Sequence, residues 1–136
     1  MSRPWNDERT PIGEIAAAIR TFNADREWGQ FHSPRNLAMA LSVEANELLE
    51  LYLWCSDEGP QPAVAAREPR VAEELADVLI TLLNLADRAG VDLAAATEAK
   101  LSKNAEKYPV EAARGSLLKA AELARRGGRK QGDEAG

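Results

Sequence analysis

The sequence predicts an all-α protein with a four-helix-bundle core, and three observations carry the prediction. Apolar residues recur at helical spacing in four long stretches between Ile12 and Lys107. These stretches open on cap residues or first-position prolines and close at a glycine or before a proline. No segment shows the two-residue alternation of a half-buried strand.

Residues 1–10 are polar and read as a flexible N-terminal segment, with Trp5 as its one large apolar side chain. Thr10-Pro11 followed by Glu14 opens the first helix, with Thr10 as cap. Ile12, Ile15, Ala16, Ile19 and Phe22 carry it to about Glu27. The glycine and aromatics of Trp28-Gly29-Gln30-Phe31-His32 then suggest a shaped loop. Ser33-Pro34 restarts a helix that reaches about Cys55. Residues 57–69 hold one glycine and three prolines, a composition for a connecting loop. A third helix spans about Arg70 to Ala89 and stops at Gly90. Asp92 caps a fourth, which ends before Pro109, and residues 112–126 predict a weaker fifth. The domain is thus expected over residues 11–126, and the glycine-rich residues 127–136 read as a disordered tail.

The second and third helices each carry two carboxylates three residues apart, Glu44 with Glu47 and Glu74 with Asp77. That spacing places each pair on one helix face. At about 100° per residue, Leu37, Leu41, Ala45, Leu48, Leu49, Leu51 and Tyr52 form an apolar stripe, and Glu44 falls inside it. On the third helix, Val71, Leu75, Val78, Leu79, Leu82 and Leu85 form one apolar face, and Ile80 and Leu83 add another. Glu74 and Asp77 lie in a polar strip between them. An unpaired buried carboxylate costs several kcal/mol or more, so four acids on two helices favour a bound cation. The two apolar faces of the third helix exceed the need of one bundle, and predict contact with another subunit.

At 136 residues the chain is of single-domain size, and 17 Lys and Arg against 22 Asp and Glu give a net charge of −5. That balance argues against a nucleic-acid binder. Bound divalent cations would reverse the sign locally and admit a phosphorylated small molecule. With no apolar run of membrane-spanning length and no signal core, a soluble cytoplasmic protein is expected, without a membrane partner. The single cysteine, Cys55, has no internal partner and reads as inert.

Taken together, these residues resemble the MazG-type all-α nucleotide pyrophosphohydrolases. Glu44xxGlu47 and Glu74xxAsp77 are similar to that family's ExxE…ExxD signature. Three further blocks, Trp28 to Leu37, Glu47 to Trp54, and Lys100 through Asn104 to Lys107-Tyr108-Pro109, look like its deoxycytidine triphosphate pyrophosphatase branch. The likeness covers roughly residues 12–109. It implies Mg²⁺-dependent hydrolysis of a nucleoside triphosphate, with dCTP or modified pyrimidine nucleotides first and broader nucleotide-pool cleaning as the alternative. It also implies a homotetramer built as a dimer of dimers, with Glu44, Glu47, Glu74 and Asp77 as metal ligands and catalytic residues. Hard oxygen ligands and retained waters suit magnesium.

The same resemblance puts the loop bearing Trp28, Phe31 and His32 against base and sugar, although a lone histidine is more often a surface or hydrogen-bonding residue. Trp54 lies about 20° around the helix from Glu47 and about 10 Å along it, which suits stacking on a base whose phosphates reach the metal. The alternative for Trp54 is a core residue at a helix end. Lys100, Asn104 and Lys107 share a face of the fourth helix, and with Tyr108 they are expected to grip the phosphate chain. By spacing alone, such lysines would read as a solvated face. Arg35 and Asn36 are expected to support the loop or touch substrate. One position departs from relatives that prefer deoxycytidine. They tend to carry a histidine where this chain has Ile19, which cannot hydrogen-bond to a base or sugar.

Two rival readings come from other classes. A di-iron carboxylate bundle uses Glu-x-x-His from two helices, and the only histidine, His32, has no glutamate three residues before it. A non-catalytic helical interaction module with an acidic metal-binding strip is the other. All four acids of the signature are retained, which favours the enzyme.

Overall fold

The computed structural model describes residues 4–53, 69–123 and 125. Among them every regular element is helical. Trp54, Cys55 and the predicted connecting loop lie outside the described residues up to Pro69, which begins the next helix. The chain divides into two units, Met1–Leu93 and Ala94–Gly136.

The first unit contains α1 (Ile12–Ala24), a 3₁₀ turn (Trp28–Gln30), α2 (Pro34–Glu50) and α3 (Pro69–Ala89). Helix α3 is the central element, packed along α2 on one side and α1 on the other. Asn23 meets Asn84 while Arg20 meets Asp87, so α1 and α3 run antiparallel.

The ends of these helices follow local chemistry. Ser33 accepts a hydrogen bond from the Asn36 amide at 3.1 Å and Pro34 takes the first helical position, so α2 starts where predicted. At the end of α3, the Val91 amide donates to Ala86 and the Gly90 amide to Asp87, with Gly90 at φ +66°. This is a Schellman stop, and its left-handed residue favours glycine. The start of α1 differs from expectation. The Thr10 hydroxyl accepts from the Asn6 amide at 3.0 Å, so it closes the preceding turn instead of capping the helix. Helix α1 also stops at Ala24, and the left-handed conformation of Glu27 (φ +54°) redirects the chain into the 3₁₀ turn. Helix α2 stops at Glu50, short of the expected Cys55, with the Tyr52 and Leu53 amides turning back to the Leu49 and Glu50 carbonyls.

The covered positions of α2 are Leu37, Ala40, Leu41, Glu44 and Leu48, with Leu51 at its end, and Glu44 is the sole polar member. They step by three and four, the pattern of one helix pressed against one neighbour. The predicted stripe was too wide. Ala45 is exposed, Leu49 is 54 % exposed, and on α3 Leu75 is 53 % exposed. The second apolar face of α3 is covered in part, with Ile80 still 39 % exposed. Leu83 is buried within the chain, and the side bearing Ile80, Asn84 and Asp87 lies against α1 and its cavities. In the first half of α3 the covered residues are Val71, Glu74, Val78 and Leu79, again with one acid among apolar neighbours.

The second unit contains most of α4 (Leu93–Lys107) and the short α5 (Val110–Ala113). A single helix over residues 112–126 does not form. Gly115 at φ +67° ends α5, and helical structure resumes at Ala120, where the Glu122 carboxylate accepts from the Lys119 amide at 3.0 Å.

Candidate active site

Helices α2 and α3 bring three of the four signature acids together. One carboxylate oxygen each from Glu44, Glu74 and Asp77 lies within 4.8 Å of the others. Glu44 and Glu74 are half-buried and Asp77 is exposed, so the cluster opens to solvent on one side. Glu47 stands one turn along α2, hydrogen-bonded to Glu44 and outside that trio.

The electrostatics follow from this crowding. The Glu44 carboxyl is held above its ordinary value of 4.5, first by burial, then by the negative charges of Glu47, Asp77 and Glu74 and the hydrogen bond with Glu47. A cation among these oxygens would offset both burial and repulsion. The donors are all hard oxygens, which suit Mg²⁺, Mn²⁺ or Ca²⁺ rather than a thiolate- or imidazole-seeking metal. Oxygens sharing one magnesium at ~2.1 Å lie at most about 4.2 Å apart, so small side-chain adjustments would complete the approach. Three carboxylates leave positions for water or phosphate oxygens. The trio can therefore hold a metal ion.

A cavity of about 290 Å³ lies next along the same groove, near the lower limit for small-molecule sites. Its wall includes Ala40, one helical turn from Glu44, and Thr81, one turn from Asp77. Trp28 and His32 close it from the loop. The Trp28 ring stands edge-on to Phe22 at 5.6 Å and to His32 at 6.4 Å, and the Arg26 guanidinium covers Phe22 at 3.5 Å. A second cavity of about 170 Å³ lies beyond, beside Arg20, Asp87 and Arg88.

The other sequence-predicted residues divide. Phe31 is 61 % exposed and belongs to neither cavity lining, while its carbonyl accepts from the Asn36 side chain at 2.9 Å. Trp54 lies outside the described residues. Lys100, Asn104 and Lys107 lie on α4 in the second unit, followed by Tyr108, whose ring sits 5.6 Å from the Lys107 ammonium.

Sequence reasoning missed Arg88. Its guanidinium donates from Nε to the His32 carbonyl at 2.7 Å and from a terminal nitrogen to the Gly29 carbonyl at 3.1 Å. A basic residue in a helix's last turn ordinarily reads as a complement to the helix dipole, so nothing local marked it as a clamp. The pair formed by Asn23 and Asn84, 2.7 Å apart across α1 and α3, was also unread, because amides within amphipathic helices resemble surface positions.

Comparison with known proteins agrees with this arrangement. The profile of the MazG-like family matches residues 39–123. The chain is similar to dCTP pyrophosphatase 1 of Mus musculus, at 43 % identity covering 91 % of this chain and 75 % of the relative. It is likewise similar to dCTP pyrophosphatase 1 of Rattus norvegicus, at 48 % identity covering 84 % and 68 %. The crystal structure of a pyrophosphatase from Archaeoglobus fulgidus superposes with a TM-score of 0.68 at 35 % identity, covering 80 % of this chain and 99 % of that one. An acidic cluster built from two antiparallel helices, a cavity one turn away, and a family profile spanning both helices and the chain beyond them lead to one assignment: the chain belongs to the MazG-like family.

Proposed function

We propose that the chain hydrolyses a deoxynucleoside triphosphate, dCTP or a modified pyrimidine analogue first, to the monophosphate and pyrophosphate in the cytoplasmic nucleotide pool. The observation that carries this reading is the convergence of Glu44, Glu74 and Asp77 one turn along the groove from the cavity bearing Trp28 and His32. The names of the mammalian relatives support the substrate, and the archaeal structure supports the reaction.

Glu44, Glu74 and Asp77 hold Mg²⁺, with Glu47 supplying a fourth carboxylate. An ion held by these carboxylates would supply charge neutralisation for the phosphates and a more acidic bound water. The groove sets the triphosphate's orientation, with base and sugar in the cavity and phosphates toward the acids. Trp28 and His32 contact the base and sugar from the loop, with Phe31 at its rim and Trp54 as a further stacking surface. The family likeness further supports Lys100, Asn104, Lys107 and Tyr108 as substrate-binding residues. Residues 11–126 serve as the working domain.

The test is pyrophosphate release from a panel of triphosphates with and without Mg²⁺. Magnesium-dependent release from a pyrimidine deoxynucleotide is expected. Silence across the panel, or undiminished turnover in Glu44→Gln, would overturn the reading in favour of a binding module.

Arg88 should matter to substrate capture more than to the chemical step. Losing two hydrogen bonds to the loop in Arg88→Ala should raise KM roughly five- to tenfold with a smaller change in kcat, and Arg88→Lys should recover part of the loss. Steady-state kinetics on the three proteins checks this.

The enzyme is further proposed to be a homotetramer. Met39 and Val43 lie one turn and about 40° apart on α2, away from the seam with α3, and Leu53 follows in the turn beyond the helix's last residue, Glu50. Each is more than half exposed in the single chain. Such a stripe suits burial against a second copy. Sedimentation equilibrium should give about four times the 14.8 kDa chain mass, and Val43→Glu should lower it.

A further inference from the structure

We infer that Asn23 and Asn84 act as a coupled amide pair that reads the hydrogen-bonding edge of the base. The inference rests on the pyrophosphohydrolase reading and adds the residues that set selectivity. The Asn23 side-chain nitrogen donates to the Asn84 side-chain oxygen at 2.7 Å, and both residues are half-buried in the wall shared by the two cavities. The bond fixes both amides. With its oxygen engaged toward α1, Asn84 retains two N–H donors, and Asn23 retains its carbonyl oxygen with both lone pairs. No buried side-chain nitrogen or oxygen lacks a partner among the described residues, so these remaining positions are open to a ligand or water.

Position along the groove supplies the second argument. Asn84 follows Asp77 by seven residues on α3, which is two turns and about 10.5 Å of rise on nearly the same face. A nucleotide with its phosphates at the acids and its sugar beside Thr81 and Ala40 would bring its base edge to the amide pair. There Asn84 donates to the ring acceptors of cytosine, N3 or O2, while Asn23 accepts from the exocyclic amino group. Trp28 and His32, on the same cavity wall, supply aromatic surface, and Asn36 there already donates to the Phe31 carbonyl at 2.9 Å. Ile19 contributes no hydrogen bond, so the amide pair supplies a donor and an acceptor that α1 lacks at that position.

Asn84→Asp is the discriminating variant. Its carboxylate still accepts from Asn23, so the link between helices survives, while the donors facing the base become an acceptor. Turnover should be compared on dCTP, dUTP and dTTP, with folding checked by circular dichroism. The ratio of kcat/KM for dCTP over dUTP should fall roughly 5- to 100-fold, the range for one good amide–base pair, because uracil presents N3–H where cytosine presents a lone pair. Asn23→Ala should lower kcat/KM for dCTP more than for dUTP. An unchanged ratio in a folded, active Asn84→Asp enzyme would reduce the pair to a structural staple and leave the function standing. Absence of turnover in the wild-type enzyme would instead remove the function and this inference with it. Should Asn84→Asp fail to fold, Asn84→Ser and calorimetric binding of deoxycytidine and deoxyuridine monophosphates provide the same comparison, with equal loss for both bases overturning the role.

Discussion

Replacing Glu44 by glutamine is expected to remove Mg²⁺-dependent turnover while making the metal-free fold more stable. The first effect follows because Glu44 is the one member of the acidic trio contributed by α2, so its loss leaves a metal site with ligands from α3 alone. Disturbing even an outer partner of a metal ligand commonly costs 10- to 100-fold in affinity or activity, so removal of the ligand should cost at least about 100-fold. The second effect follows from the raised proton affinity of Glu44. A carboxyl that binds protons more tightly when folded than when unfolded destabilises the fold once it ionises. Metal-free stability should therefore fall as pH rises from the ordinary carboxylate value of 4.5 through the raised value, and level off above it. The glutamine amide in the variant has no charge to desolvate and adds no repulsion toward Glu47, Glu74 and Asp77. Thermal unfolding in EDTA across that pH interval should show a shallower slope and a higher Tm at neutral pH for Glu44→Gln. Added Mg²⁺ should raise the Tm of the wild type but not of the variant. A wild-type Tm indifferent to Mg²⁺ would argue against the site. Glu50→Gln, on an exposed position of the same helix, serves as the control with near-normal activity.

Trp28→Ala should raise KM roughly 5- to 100-fold with a smaller fall in kcat, the range for loss of one base–aromatic stack. The ring is preset for this task. Phe22 and His32 meet it at steep angles of 77° and 68°, Arg26 caps Phe22, and Arg88 fixes the backbone on both sides of the turn. Edge-to-face packing holds a ring in place without occupying both of its faces. Because Trp28 is 43 % exposed, its truncation should lower Tm only slightly, which separates a binding role from a core role. Trp28→Phe should recover much of the affinity. A loss of kcat at unchanged KM would place Trp28 elsewhere in the cycle.

Particular residues show how far sequence reaches. Ser33-Pro34 and Gly90 mark helix ends through chemistry confined to a few neighbouring residues, and those ends stand where the pattern placed them. Thr10 and Glu27 depart from the pattern because a hydroxyl has more than one local donor to serve and a non-glycine residue can take a left-handed turn. The acid pairs are equally visible, since three-residue spacing fixes a shared helix face. Helical wheels, however, cannot give the width of the covered strip. Leu49 and Leu75 looked internal on the wheel, yet one neighbour covers only a narrow seam.

The sequence by itself determined the helical class, the start of α2, the end of α3, and the two short segments that carry the acids, because each depends on periodicity or on contacts within one or two turns. Tertiary structure alone decided that Glu44, Glu74 and Asp77 meet while Glu47 stands aside, that α1 covers the second side of α3, and that Arg88 and the Asn23–Asn84 pair hold the cavity wall. These contacts join residues 30 to 67 positions apart. Their geometry depends on how antiparallel helices register against one another, which local spacing does not encode.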